Sequence, residues 1–142
     1  MPHPNLMPYI ENFKHNSKVH FSDINTSYRD VFAKSKLILT DYSSVAFDFV
    51  YLNKPVIYCQ FDKQRYLDGE HSYEPGYFDY ERDGFGEVEY DLESTVNRLI
   101  EYIKNDCRMK DKYKKRIDKF FIFHDKNNCE RIYQKIISSD QD

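Results

Sequence analysis

Thr40-Asp41-Tyr42-Ser43-Ser44 gathers hydroxyls and a carboxylate at the junction between a β-type run, Leu37-Ile38-Leu39, and a helix-type run, Val45 to Leu52. A strand that ends in small hydroxyl residues at a helix start aims free backbone N–H groups, the positive end of the helix dipole and two side-chain donors at one point. That is the chemistry of an anion site. The same Asp and Ser residues also read as ordinary N-caps, so both readings stand at this level. Asp41 and Asp48 can orient donors or bind a ribose, and Asp48, inside the helix, can equally face solvent. His3 carries the side chain that titrates near neutral pH, suited to hydrogen-bond a phosphate or to take a proton from a hydroxyl, or else it is a mobile terminal residue. Arg131 can neutralise a phosphate or pair with Asp125. Asp79, Glu81 and Asp83 alternate with bulky residues; their spacing fits no calcium loop and reads more simply as solvated chain. His15, His20, His71 and His124 lack metal-ligand spacing, and Cys59, Cys107 and Cys129 form no CxxC, so neither a metal nor a cofactor is expected.

The elements that position these residues follow a strand-then-helix rhythm. Val19-His20-Phe21 is predicted as a strand, then Tyr28 to Ser35 as a short helix turning Val31, Phe32 and Ala33 toward a sheet. Leu37 to Thr40 is the next strand and Ser44 to Leu52 the next helix, stopped by Asn53 before Pro55. Val56-Ile57-Tyr58-Cys59 is a third strand. These runs are apolar on both faces, which implies a parallel sheet covered on both sides: an α/β, Rossmann-like fold. Residues 60–90 form a long Tyr- and Asp-rich connection, expected to be an ordered, ligand-facing loop. Three helical segments follow, Leu92 to Asn105, Lys110 to Phe121 and Asn128 to Ser138. In an open parallel sheet, ligands bind outside the carboxyl ends of the strands, where Asp41-Tyr42-Ser43-Ser44 and Gln60-Phe61-Asp62 both fall.

Composition narrows the function classes. A chain of 142 residues is one domain's worth, and a net charge of −3 argues against bulk nucleic-acid binding. Three dispersed cysteines fit a reducing compartment. No apolar run approaches the roughly 18 residues a membrane span needs, and Met1-Pro2-His3-Pro4 lacks a signal-peptide layout, which fits a cytoplasmic protein. The basic stretch Lys110 to Lys119 reads as a surface helix packing Tyr113, Ile117, Phe120 and Phe121, with contact to anionic lipid as its alternative use.

Several motifs then carry a family resemblance. His3-Pro4, Thr40-Asp41-Tyr42-Ser43-Ser44 with Asp48, Pro55-Val56-Ile57, Gly76-Tyr77-Phe78-Asp79-Tyr80 and Asn128 to Arg131 together resemble the C-terminal half of the CDP-glycerol glycerophosphotransferases, bacterial enzymes that prime or polymerise teichoic acid. The resemblance implies a GT-B type enzyme in which this half, residues 1–142, is a single domain holding the CDP-activated donor. His3 would then be the catalytic candidate, and Thr40, Asp41, Ser43, Ser44, Asp48 and Arg131 the substrate-binding set. It also implies CDP-glycerol and a lipid-linked teichoic acid acceptor as partners, with location on the inner face of the cell membrane as an option. The family has a strand directly before its His-Pro motif, so the domain is expected to be incomplete at its N-terminal edge: a fragment, a split gene product or an oligomer, with the acceptor domain elsewhere. Two departures stand out. Glu74-Pro75-Gly76 replaces an Arg-Gly pair, leaving Arg65 or Arg82 to supply the arginine, and Asp125-Lys126 replaces Asp-Gly, which predicts a different turn because Lys does not readily take left-handed angles. Another GT-B nucleotide-sugar enzyme and a non-catalytic nucleotide-binding module are the alternatives.

Overall fold

Val56-Ile57-Tyr58 has no exposed surface (each 0%), because these residues form the middle strand of a parallel sheet packed on both faces. The computed structural model describes residues 4–14, 16–22, 25–63, 65 and 76–139. The chain divides into two compact units, Met1–Ser35 and Lys36–Asp142.

The second unit holds the sheet. Its strands are β1 (Ile38–Thr40), β2 (Val56–Cys59) and β3 (Gly86–Glu89), in the order β1-β2-β3 and all parallel. Thr40 lies opposite Tyr58, and Val56 opposite Gly86. Side chains alternate along β2. Val56 and Tyr58 join Ala46 and Val50 of α2 (Val45–Tyr51), Phe85 and Ile117 in one core cluster. On the other face, Cys59 accepts a hydrogen bond from Thr95 Oγ1 of α3 (Leu92–Lys104). Helices therefore cover both faces, and the expected α/β architecture is present.

Local signals explain the helices. Asp91 caps α3 by accepting the Ser94 N–H at 2.8 Å. Helix α4 (Asp111–Phe120) buries Tyr113 and Ile117 and leaves Lys112, Lys114, Lys115 and Lys119 outside. A last helix, α5 (Asn128–Ser139), supplies the expected helical C-terminal segment and buries none of its side chains. Before it, Asp125 Oδ1 accepts the Asn127 N–H at 2.9 Å, which closes the turn without a left-handed Lys126.

Strand β3 was not expected, since residues 60–90 read as one connection. Gly-Glu-Val-Glu offers a single apolar residue, but tertiary partners take up its charges. Glu87 pairs with Lys110 at 2.8 Å and accepts from the Tyr113 hydroxyl at 2.6 Å, and Glu89 pairs with Arg98 at 2.7 Å. Gly86 is required by close approach, because a Cβ there would sit 1.8 Å from the Val56 carbonyl oxygen.

The first unit contains a 3-10 helix, Pro4–Asn12, and helix α1 (Tyr28–Lys34), whose Asp30 N–H is capped by Ser27 Oγ at 3.2 Å. The strand predicted at Val19-His20-Phe21 does not form. Asn16 Oδ1 instead accepts the N–H groups of Lys18 at 2.8 Å and Val19 at 3.1 Å, folding the chain into a turn with one isolated antiparallel bridge, Asn16 to Val19. In α1 only Phe32 is buried, and Ala33, expected to face inward, is exposed.

Candidate functional site

Because the strands are parallel, the segments that follow them emerge at one edge of the sheet. Asp41-Tyr42-Ser43-Ser44 follows β1, Gln60-Phe61-Asp62-Lys63 follows β2 and Tyr90 follows β3. Helix α2 begins within the first of these. Ser43 O accepts the Ala46 N–H at 3.2 Å and Ser44 O the Phe47 N–H at 3.0 Å. Ser44 is the N-cap residue by position, yet its backbone is already helical (φ −61°, ψ −17°) and its hydroxyl makes no capping bond. Ser43 Oγ stands 3.4 Å from the Val45 nitrogen, a long and weak contact. The opening turn of α2 thus keeps hydroxyl capacity that its own backbone does not use.

A hydrogen-bonded aromatic rim ties the three strand ends together. The Tyr42 hydroxyl donates to Asp62 Oδ1 at 3.2 Å, and the Tyr80 hydroxyl donates to the Tyr42 carbonyl at 3.0 Å. The two rings meet edge to face, with centroids 5.9 Å apart. On the far side, Lys63 Nζ donates to the Tyr90 hydroxyl at 3.0 Å, and that hydroxyl donates to the Glu81 carboxylate. The bond to Tyr90 raises the Lys63 ammonium above its ordinary value, and burial raises the Tyr90 phenol, so at neutral pH both keep their protons.

Gln60 is the exception within this network. Its side chain is 1% exposed, and among the described residues neither the amide nitrogen nor the amide oxygen has a hydrogen-bond partner, although its backbone N–H continues the ladder to Glu89 O at 2.8 Å. By the alternation of β2, it shares the face of Val56 and Tyr58, against which α2 packs. A buried amide left unpaired costs about 1–3 kcal/mol, so its retention asks for a partner.

The predicted site residues separate into three groups. Thr40, Asp41, Ser43 and Ser44 lie together at the strand edge, Thr40 and Ser43 half-buried, Asp41 and Ser44 exposed. Asp48 is in the first turn of α2 and faces solvent. Arg131 belongs elsewhere: its guanidinium forks onto Asp125, with one bond at 2.9 Å, donates to Asn128 Oδ1 at 2.8 Å and lies 3.8 Å from the Phe123 ring centroid. Hydrogen bonding from Arg131 holds the Asp125 carboxyl below its ordinary value. His3 lies outside the described residues.

The acidic run serves its own loop. Asp79 Oδ1 accepts the Arg82 N–H at 2.6 Å, Asp83 accepts the Asp79 N–H at 3.0 Å, and Arg82 pairs with Asp83 at 2.6 Å, holding that carboxyl at about 2. Among the described residues, no group of three His, Cys, Asp or Glu side chains has metal-binding geometry. Sequence reasoning placed Gln60 at the ligand edge without giving its side chain a role, quoted Tyr80 only within a family motif, and did not single out Lys63 or Tyr90. Position just beyond a strand end was the available signal for Lys63, and recognition of β3 would have exposed Tyr90.

Comparison with known proteins adds to this geometry. The profile of the CDP-Glycerol:Poly(glycerophosphate) glycerophosphotransferase family matches residues 1–138. The minor teichoic acid biosynthesis protein GgaB of Bacillus subtilis (strain 168) is 45% identical over 139 residues, covering 98% of this chain and 15% of its own length. The teichoic acid poly(glycerol phosphate) polymerase of the same strain is 26% identical over 112 residues, covering 79% of this chain and again 15% of its own. Among solved structures, the wall teichoic acid polymerase TagF matches with a TM-score of 0.65 at 21% identity, over 94% of this chain and 33% of that one, a likeness of fold. The chain therefore spans a minor part of the length of each of these relatives.

Proposed function

From the premise that this chain belongs to the CDP-glycerol:poly(glycerophosphate) glycerophosphotransferase family, we propose that it supplies the donor-binding part of a glycerophosphate transferase. The observation that carries the reading is the pairing of an open helix start at Ser43-Ser44 with the buried amide of Gln60, unpartnered among the described residues, at the same sheet edge. The donor diphosphate sits against the Ser43 and Ser44 hydroxyls and the first N–H groups of α2, where the helix dipole favours negative charge. Thr40 and Asp41 border the same edge and orient the donor; Asp48, on the exposed side of α2, acts on the field around it. Arg131 serves by holding the turn at Asp125, and reaches a phosphate only by releasing that carboxylate.

In the reaction, an acceptor hydroxyl attacks the distal phosphorus of CDP-glycerol. A phosphorus–oxygen bond forms to the acceptor as the bond to CMP breaks, and the hydroxyl proton passes to a base, for which His3 is the candidate. Catalysis rests on positioning and charge neutralisation. The acceptor wall of the cleft belongs to a further domain or a second chain, so the 142-residue chain alone binds donor without turning it over. Peripheral contact with the inner face of the membrane, through Lys112, Lys114 and Lys115 of α4, is the finer proposal for location; no helix among the described residues is long and apolar enough to cross a membrane.

The test is thermal unfolding with CDP, CDP-glycerol, UDP and a UDP-sugar. A ligand that binds only the folded state raises the unfolding temperature by mass action. Stabilisation by the CDP compounds over the UDP compounds is expected, and it should survive chelator. A larger shift with a UDP-sugar would move the reading to another GT-B nucleotide-sugar enzyme; no shift with any nucleotide would end the donor-site proposal.

A further inference from the structure

A second concavity, of about 510 Å³, opens within the second unit, lined by Tyr77, Phe78, Phe85, Phe120 and the cations Arg82, Arg116 and Lys119, with Asp83 at its side. Its size falls in the range of small-ligand sites. Phe85 precedes β3, and the neighbouring Gly86 pairs with the first residue of β2, so Gly86 lies about 13 Å along the strands from the edge that carries Gln60 and Tyr90.

The lining combines two chemistries. Phe78, Phe85 and Phe120 pack on one another and on Phe47 of α2, with ring centroids 5.1–6.4 Å apart, and make a firm aromatic floor. Two of the cations beside it, Arg116 and Arg82, are held by the backbone. Arg116 donates to the Gly84 carbonyl at 2.7 Å, and Arg82 donates to the Tyr77 carbonyl at 2.7 Å while pairing with Asp83. Lys119 makes no ion pair among the described residues and is exposed at the end of α4. Three cations against one carboxylate, already taken by Arg82, leave net positive charge over an apolar floor.

We propose that this concavity is a subsite for a phosphodiester-linked polyol, the chemistry of the acceptor polymer. Lys119 and Arg116 hold a phosphate, while the C–H faces of the polyol rest on Phe120 and Tyr77. The inference rests on the proposed function, since the family acts on poly(glycerophosphate). A polymer segment is favoured over a lipid headgroup of the same chemistry because the cations surround a concavity, whereas a bilayer surface is met by protruding side chains. The segment from Tyr77 to Phe85 joins this subsite to the donor edge, as Tyr80 within it bonds to Tyr42. A bound acceptor chain would thus be held one subsite away from the donor, by the same loop that closes the donor rim.

The experiment uses the 142-residue chain and a short synthetic oligo(glycerol phosphate), with CDP stabilisation followed in parallel. Binding that falls with salt is expected, as is a loss of roughly tenfold in affinity in Lys119→Glu. Tyr77→Ser, at a side chain 83% exposed whose loss the fold tolerates, should also weaken the oligomer. Saturating CDP should not displace it, and the CDP-induced shift should be the same in both variants as in the parent. Unchanged oligomer affinity in folded Lys119→Glu, or full competition by CDP, overturns the subsite while leaving the donor reading intact. Preferential binding to phosphatidylglycerol vesicles, lost in Lys119→Glu, overturns it in favour of a membrane contact. Lys119-dependent oligomer binding in a chain that CDP fails to stabilise supports the subsite and sinks the donor reading instead.

Discussion

Strand β3 and the edge formed by Ser43, Ser44 and Gln60 carry comparable numbers of polar groups and treat them in opposite ways. On β3, Glu87 is met by Lys110 and Tyr113, and Glu89 by Arg98. Burial pushes the Glu87 carboxyl up, but the hydrogen bonds from Lys110 and Tyr113 outweigh it and hold the group below its ordinary value. At the edge, the Ser44 hydroxyl makes no capping bond, and the Gln60 amide has no partner at either end among the described residues. Charges that find partners inside the chain build the fold. At this edge, the polar groups that the fold orients without partners among the described residues are the ones open to a ligand.

The comparison breaks hardest at Gly86. Gly86→Ala drives a Cβ into the Val56 carbonyl, so β2 and β3 must part, and a loss of about 4 kcal/mol or more is expected in urea unfolding. A loss below about 1 kcal/mol would show that β3 is dispensable to the sheet.

Glu87→Gln tests whether β3 charges are structural. It should cost roughly 1.5–3 kcal/mol at neutral pH, with CDP stabilisation unchanged relative to the variant's own baseline. Because the folded carboxyl is depressed, its contribution is present above the unfolded carboxylate value and lost as pH falls through the folded one. Parent and variant stabilities should therefore converge in acid, and a gap that persists there would assign the loss to packing.

Ser43→Ala combined with Ser44→Ala probes the other side of the contrast. CDP binding should weaken by about 1.5–3 kcal/mol for each charge-assisted bond lost, in a folded protein. The capping alternative predicts the reverse, a stability loss of about 0.5–2 kcal/mol with unchanged CDP affinity. Calorimetric titration beside thermal unfolding separates the two.

The smallest effect on stability is expected at Gln60. Gln60→Met removes an unpaired buried amide and keeps most of the volume, so stability should hold or rise by about 1 kcal/mol while CDP affinity falls. A clear loss of stability would mean that the amide is already satisfied in the unliganded protein, and the contrast with β3 would dissolve.

Much of the scaffold was legible because it is written locally. The apolar runs of β1 and β2, Pro55 before β2 and the Asp91 cap each act within a few residues, and their elements appeared within one or two residues of expectation. Val19-His20-Phe21 failed for a reason that is also local: the Asn16 side chain competes for the same backbone N–H groups and wins. The hydroxyl cluster at Thr40 to Ser44 was visible as a strand-to-helix junction, but whether its hydroxyls cap the helix or stand free depends on backbone angles that no residue type specifies.

The sequence by itself determined the parallel α/β scaffold and the junction at Thr40-Asp41-Tyr42-Ser43-Ser44, because periodicity and turn chemistry act between neighbours in the chain, and its ordered motifs carried the resemblance to the family. Tertiary structure alone decided that Gly-Glu-Val-Glu is a strand, that Arg131 is held by Asp125, that Arg82 and Arg116 converge beside Phe78 and Phe120, and that Gln60 is buried with no partner for its amide among the described residues. Each of these depends on which groups meet across the fold. A charge or an amide has no fixed cost of its own; burial and the partner brought to it set that cost.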